Sequence, residues 1–371
     1  MADIYEYLKW RGDLSFARSA VNPIDTLIFS ILSYLDFPSE EHTIAELAQM
    51  FAMEPPSEEQ PERLGFFAEI PHLLEELAQT KRYAPVTVQH FTAVLDQHES
   101  IQFASVVFSV KKQLHVVAFR GTDTHLVGWK EDLLMSFMEE VPAQKKAATF
   151  LQQICKELTG KFILTGHSKG GNLAVYAGVR LDPKEQKRVS AIYNHDGPGF
   201  HPQVIESEAY QRMIKVMHTY IPQSSIVGIL LEHGGNFTPI ESSQVSILQH
   251  DPFSWSIEGT QFIVSERLSK GVLALKEAIR SWLNQVDPKE RSAFVETFCE
   301  LISATGAETL EDLSRDKLQS AYTILRAYTH MSKESRRHLK KSMDLLFEES
   351  KKSFTETIFG SLLQKKKQIE A

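Results

Sequence analysis

Lys161-Phe162-Ile163-Leu164-Thr165 runs without interruption into Gly166-His167-Ser168-Lys169-Gly170-Gly171. The first five residues are a short, nearly continuous apolar run, as expected for a strand covered by helices on both faces. Gly166-x-Ser168-x-Gly170 then matches the nucleophile-elbow pattern, a sharp strand-to-helix turn that lifts a serine hydroxyl above the sheet and needs glycines where neighbouring backbone comes close. A helix rich in small residues (Gly171, Ala174, Ala177, Gly178) is expected to follow, from about Gly171 to Arg180. The plainer reading of such a turn is a close-packed junction or a phosphate cradle. Against it, neither a Walker Lys-Ser/Thr pair nor a G-x-G-x-x-G follows a strand here.

Outward from this stretch, β-rich and helical segments alternate, the punctuation of an α/β layer fold. Upstream, Ile101 to Val110 and Leu114 to Phe119 read as strands joined by Lys111-Lys112-Gln113, and the second ends at Arg120-Gly121-Thr122-Asp123. Pro142 to Leu158 carries apolar residues at helical spacing, and Thr159-Gly160 supplies a stop signal. Downstream come a strand near Val189 to Asn194, a short helix after Pro202, a strand at Lys215 to Ile221 and a β-like Val245 to Leu248. Right-handed crossovers would make the strands parallel and gather their carboxyl ends on one edge, where open α/β sheets keep their sites.

At the N-terminal side, Thr26 to Leu35 is apolar but flanked by Asp25 and Asp36. It is far shorter than the ~20 residues of a membrane span, so it reads as a buried helix. Pro38 to Pro61 is acidic, and Thr43-Ile44-Ala45-Glu46 within it reads as a capping box. After residue 252 only Pro288 and four glycines remain, which predicts a mostly helical last third. The resulting division is a mostly helical N-terminal segment over 1–90 packed on the core, an α/β core over 91–260 and a helical region over 261–371.

Composition narrows the class of function. The chain has 371 residues, of which 42% are hydrophobic and 24% charged, and its net charge of −8 has the wrong sign for a protein whose main partner is a polyanion. No nucleic-acid partner is expected. Cys155 and Cys299 stand far apart, so neither a disulfide framework nor a zinc knuckle can be built. With an acidic N-terminus in place of a secretory signal, the expected location is the cytoplasm. The last 41 residues are +4 and the remainder −12. Phe354, Ile358, Phe359, Leu362 and Leu363 recur there at helical spacing beside lysines, a pattern read first as a docked terminal helix and second as a peripheral membrane contact.

A serine attacks a carbonyl only if its proton has an acceptor and the oxyanion has donors. The backbone N–H of Lys169, at the start of the helix, is one expected donor, and that of Thr122, in the loop after an earlier strand, is the other. Phe119-Arg120-Gly121-Thr122-Asp123, Trp129-x-x-Asp132 and Gly166-His167-Ser168-Lys169-Gly170-Gly171 together resemble the class 3 lipases. More narrowly they are similar to an uncharacterised bacterial family of lipase-like α/β-hydrolases of about this length. The resemblance covers roughly residues 100 to 255. It implies an α/β-hydrolase-like, mostly parallel sheet with helices on both faces, a Ser-His-Asp triad that hydrolyses an ester, Thr122 and Lys169 as oxyanion donors and an acyl-ester or lipid substrate; such a mechanism needs no cofactor or metal.

Such hydrolases place the histidine after the acid in the chain. His250 is the expected base, with His233 as runner-up, and His167 in the elbow is read as structural. Class 3 lipases carry an aspartate just after the strand that here is Lys215 to Ile221, but this chain has Pro222-Gln223-Ser224-Ser225-Ile226-Val227, with Ser225 in that place. Asp196, at the end of the preceding strand, is therefore nominated as the acid, and Glu232 and Asp251 are the alternatives. Ile226 to Leu231 reads as core, or else as an acyl-pocket wall. The expected activity is a serine esterase or lipase-like hydrolase. A thioesterase or acyltransferase would use the same machinery, and a non-catalytic scaffold derived from a hydrolase is the competing class.

Overall fold

Alternate residues of the central strands belong to two different cores, as the period of two in a strand requires. Val106, Phe108, Val116, Ala118 and Ile163 pack on one side of the sheet, while Val107, Val117, Phe119, Phe162 and Leu164 pack on the other. The computed structural model describes residues 2–53, 65–135, 138–235, 237–309, 312 and 317–351, the last without 334, 338, 346, 349 and 350. The sheet has eight strands in sequence order: β1 (His42–Thr43), β2 (Thr87–Asp96), β3 (Ile101–Lys111), β4 (Leu114–Phe119), β5 (Lys161–His167), β6 (Val189–His195), β7 (Met217–Pro222) and β8 (Thr238–Ile240). The first three pairings are antiparallel and the last four parallel. With helices on both faces, this is an α/β-hydrolase-like architecture.

One face is covered by N-terminal helices. In α1 (Ile4–Arg11) the residues Ile4, Tyr7 and Leu8 turn inward, and every residue of α2 (Pro23–Leu32) is buried. A reciprocal capping box between Asn22 and Asp25 starts α2. At α3 (Ile44–Met53) the expected Thr43–Glu46 box is present, with the Glu46 amide donating to Thr43 Oγ1 and the Thr43 amide to Glu46 Oε2. Leu73, Leu74 and Leu77 of α4 (Ile70–Ala78) join the same core. The opposite face is covered by α6 (Pro142–Glu157) and α7 (Lys169–Val179), while α5 (Leu126–Met135) lies between β4 and α6 in the chain.

Two features differ from the sequence reading. Val245 to Leu248 is not β-like: a 3-10 turn spans Ser246–His250, Val245 and Leu248 are exposed, and the last strand of the sheet lies earlier, at Thr238–Ile240. An apolar run with no strand to pair with cannot hold an extended conformation. In addition, β1 and the ten-residue β2 extend the sheet beyond Ile101, where the sequence reading began its strands. Long helices over Lys270–Gln285, Pro288–Ser303 and Lys317–His330 follow the sheet. Among the described residues no helix is long and apolar enough to cross a membrane. The apolar stripe from Phe354 to Leu363 lies outside the described residues.

Candidate active site

The sharp turn between β5 and α7 holds Ser168 at φ +57°, a left-handed conformation that costs a non-glycine residue energy and persists only where the surroundings enforce it. The enforcing contacts are specific. A Cβ on Gly166 would stand 2.1 Å from the Gly170 carbonyl carbon, and one on Gly170 would stand 2.0 Å from the Phe119 carbonyl oxygen. The elbow thus closes on itself and against the end of β4, and the Ser168 amide is fixed on the His195 carbonyl at 2.9 Å. Ser168 lines a cavity of about 350 Å³.

His250 lines the same cavity, brought there by the 3-10 turn after β8. Its Nδ1 lies 2.6 Å from Asp196 Oδ2. Because a carboxylate only accepts, Nδ1 carries the proton, and Nε2 is the ring atom left to take another. Asp196 directly follows β6, is fully buried and sits at φ +56°. Its Oδ2 also accepts from Ser225 Oγ at 2.5 Å. Its Oδ1 lies against Gly228 and, among the described residues, has no partner of normal hydrogen-bond geometry. Burial raises the Asp196 carboxyl above its ordinary range, and His250 and Ser225 pull it part of the way back.

The sequence alternatives to these two residues are occupied elsewhere. His233 is buried with Nε2 on the Gly228 carbonyl at 2.7 Å, and burial drives its pKa down to about 4. Glu232 pairs with Lys276 at 3.1 Å. Asp251 caps the next turn by accepting from the Phe253 amide.

Thr122 and Lys169 both line the cavity, and both are braced from α5. The Thr122 hydroxyl donates to Asp132 Oδ2 at 2.6 Å. The Lys169 side chain, itself buried, ion-pairs with buried Glu131 at 3.0 Å, and the other Glu131 oxygen accepts from the Ala143 amide. Lys169 therefore turns its ammonium inward, away from solvent, while its amide stands at the N-terminus of α7, where donors are unsatisfied and the helix dipole favours an anion. The rest of the wall is apolar or aromatic and includes Phe66, Phe67, Trp129, Leu133 and Met135. Ile226, Val227, Leu230 and Leu231 line it too, so most of the segment read first as core faces the cavity.

Several contacts around the site carried no signal in the sequence. His167 Nε2 donates to the His250 carbonyl at 2.9 Å, Tyr34 Oη lies 3.2 Å from its Nδ1, and the His167 and His250 rings are 4.6 Å apart. Burial holds His167 well below its ordinary pKa, which keeps this ring neutral, as that pairing requires. Arg120 donates to the Ser33 and Leu35 carbonyls at the end of α2 and so places Tyr34. Glu131, Tyr34 and Gln249 meet their partners only through the tertiary fold.

The sheet, the elbow and the rim loops define an α/β-hydrolase-like protein with a serine, an imidazole and a carboxylate at the carboxyl ends of its parallel strands. A family model described as Mbeg1-like matches residues 77–300, and the chain belongs to that family. No curated protein matches it. Among solved structures it is similar to the crystal structure of M37 lipase, at 14% identity and a TM-score of 0.35, over 55% of this chain and 67% of that one. That likeness is too distant to bear on activity.

Proposed function

We propose that this chain is a serine hydrolase that cleaves a carboxylic ester through an acyl-enzyme. The observation that carries the reading is the shared cavity: Ser168, strained on its elbow, and His250, whose Nδ1 is engaged by a buried carboxylate, face one apolar space. His250 Nε2 takes the Ser168 proton as Oγ bonds to the carbonyl carbon, and the amides of Lys169 and Thr122 receive the resulting oxyanion. His250 returns the proton to the departing alcohol as the ester C–O bond breaks. Water, deprotonated by the same nitrogen, then attacks the acyl carbon, and the carboxylic acid leaves as Ser168 is reprotonated. The resemblance of its motifs to those of class 3 lipases supports the reading, and the apolar wall suits an acyl chain.

A non-catalytic scaffold would draw its main support from the serine that stands at position 225, and the contact of Asp196 with the His250 ring counts against it. Labelling with a fluorophosphonate probe is the test. Covalent modification mapped to Ser168, lost in Ser168→Ala and at least 10³-fold slower in His250→Ala, is the expected result. A folded wild-type protein that neither labels nor hydrolyses p-nitrophenyl esters would overturn the reading.

A further inference from the structure

The ends of β6 and β7 converge on one oxygen atom. The two strands pair in parallel with His195 opposite Tyr220, and the Asp196 amide donates to the Tyr220 carbonyl at 2.8 Å. The chain beyond β7 then delivers Ser225, fully buried, with Oγ 2.5 Å from the same Asp196 Oδ2 that lies 2.6 Å from His250 Nδ1. Nor is Ser225 free to drift. The Ser224 amide donates to Gln249 Oε1 at 2.7 Å, Gln249 Nε2 donates to the Gln244 carbonyl at 2.9 Å, and the Gln249 carbonyl accepts from Trp255 Nε1 at 2.9 Å. Ser224 precedes Ser225 and Gln249 precedes His250, so one amide side chain sets the spacing between the two groups that grip the carboxylate.

We propose that Ser225 is a positioning residue for the reaction: its hydroxyl, spaced by Gln249, fixes the rotamer of the Asp196 carboxylate on the His250 ring. The proposal rests on the hydrolase reading above and goes beyond it by assigning a role to a residue that touches neither substrate nor base. Among the described residues Asp196 Oδ1 lies against the Gly228 backbone and no Lys or Arg pairs with the carboxylate, so Ser225 and His250 are the side chains that define its orientation. Removing the Ser225 hydroxyl leaves Oδ2 with the His250 ring as its one side-chain donor, so the carboxylate that orients the ring is itself less firmly held.

A double-mutant cycle on the full chain separates this role from a packing role. Ser225→Ala is expected to slow fluorophosphonate labelling of Ser168 about 10- to 100-fold, the size typical of a hydrogen bond to a charged group. In an Asp196→Asn background the same substitution should change the rate less than about twofold, because its effect passes through the carboxylate. Turnover of p-nitrophenyl butyrate should show the loss in kcat with KM nearly unchanged. Gln249→Leu, which leaves the hydroxyl in place but releases its spacing, should couple to Asp196 in the same way and serves if Ser225→Ala does not fold. Equal slowing in both backgrounds, or labelling of Ser225→Ala at the wild-type rate, would overturn the proposal and leave the hydrolase reading standing. A folded wild-type protein that fails to label at Ser168 would overturn both.

Discussion

Asp25 and Asp196 are both fully buried aspartates, yet they are held in opposite ways. Asp25 Oδ1 accepts from the Tyr7 and Tyr83 hydroxyls and from Arg82 Nε, while Oδ2 accepts from Arg82 and from the Asn22 amide. Its charge is met by a buried guanidinium, whose remaining donors reach the Leu14, Ser19 and Ala20 carbonyls. Among the described residues Asp196 has two donors on one oxygen, none of normal geometry on the other, and an imidazole where Asp25 has a guanidinium. A saturated carboxylate locks segments together. An undersaturated one keeps a charge in reserve for the moment when its neighbour becomes an imidazolium.

Substitutions should separate the two roles. The largest expected effect is on rate: Asp196→Asn should slow labelling of Ser168 by about 10⁴-fold, the loss typical when the orienting acid of a triad is removed. Urea melts should show little loss of stability, since asparagine also tolerates the positive φ at this position. The mirror experiment is Arg82→Met, which strands the Asp25 charge and should cost about 3–5 kcal/mol in the same melts. Its labelling rate per folded molecule should match wild type. Glu131→Gln, at a third buried carboxylate, should fall between them. It withdraws the counter-ion that holds Lys169 inward and should slow labelling about tenfold while lowering the melting midpoint.

The smallest effect is a pH slope. Burial depresses His195 to about 3 and His233 to about 4. The unfolded chain, with its histidines near 6.5, therefore binds more protons than the folded one at mildly acid pH. Their contribution is complete above about pH 7 and is lost as pH falls, at about 2 kcal/mol for each ring between pH 7 and 5. Asp196, raised by burial, takes up its proton more readily when folded and so opposes this slope at the acid end. Chemical denaturation at pH 7 and pH 5 checks the sign, and His195→Gln should reduce the difference by about 2 kcal/mol.

The elbow was legible because every element it needs is contiguous: an apolar strand, glycines at the points of closest approach, and small residues on the following helix. Lys169 followed from the same local geometry, Thr122 from its place in the loop after an earlier strand and Asp196 from its place at the end of the strand before Lys215, whereas His250 was chosen for following a β-like Val245 to Leu248 that is a 3-10 turn. The structure brings all five to one cavity and its buried edge. Partners without a periodic or local signature could not be read: Tyr34 lies 133 positions from the His167 ring it meets, and Glu131 lies 38 from Lys169. Val245 to Leu248 misled for the converse reason. Its apolar residues suit a strand, but the exposure of Val245 and Leu248 and the tie of Gln249 to Ser224 hold the backbone in a turn. Short β1 and half-exposed β2 sit at an edge, where the alternation of apolar and polar residues is weakest.

Parallel pairing from β4 to β8 has a lasting consequence for how such a protein can change. Neighbouring loops emerge side by side along one rim, so a chemical duty belongs to a location in space and can be discharged from whichever adjoining loop reaches it. An inherited acid could pass from one loop to the next through a few substitutions, with the scaffold beneath left undisturbed.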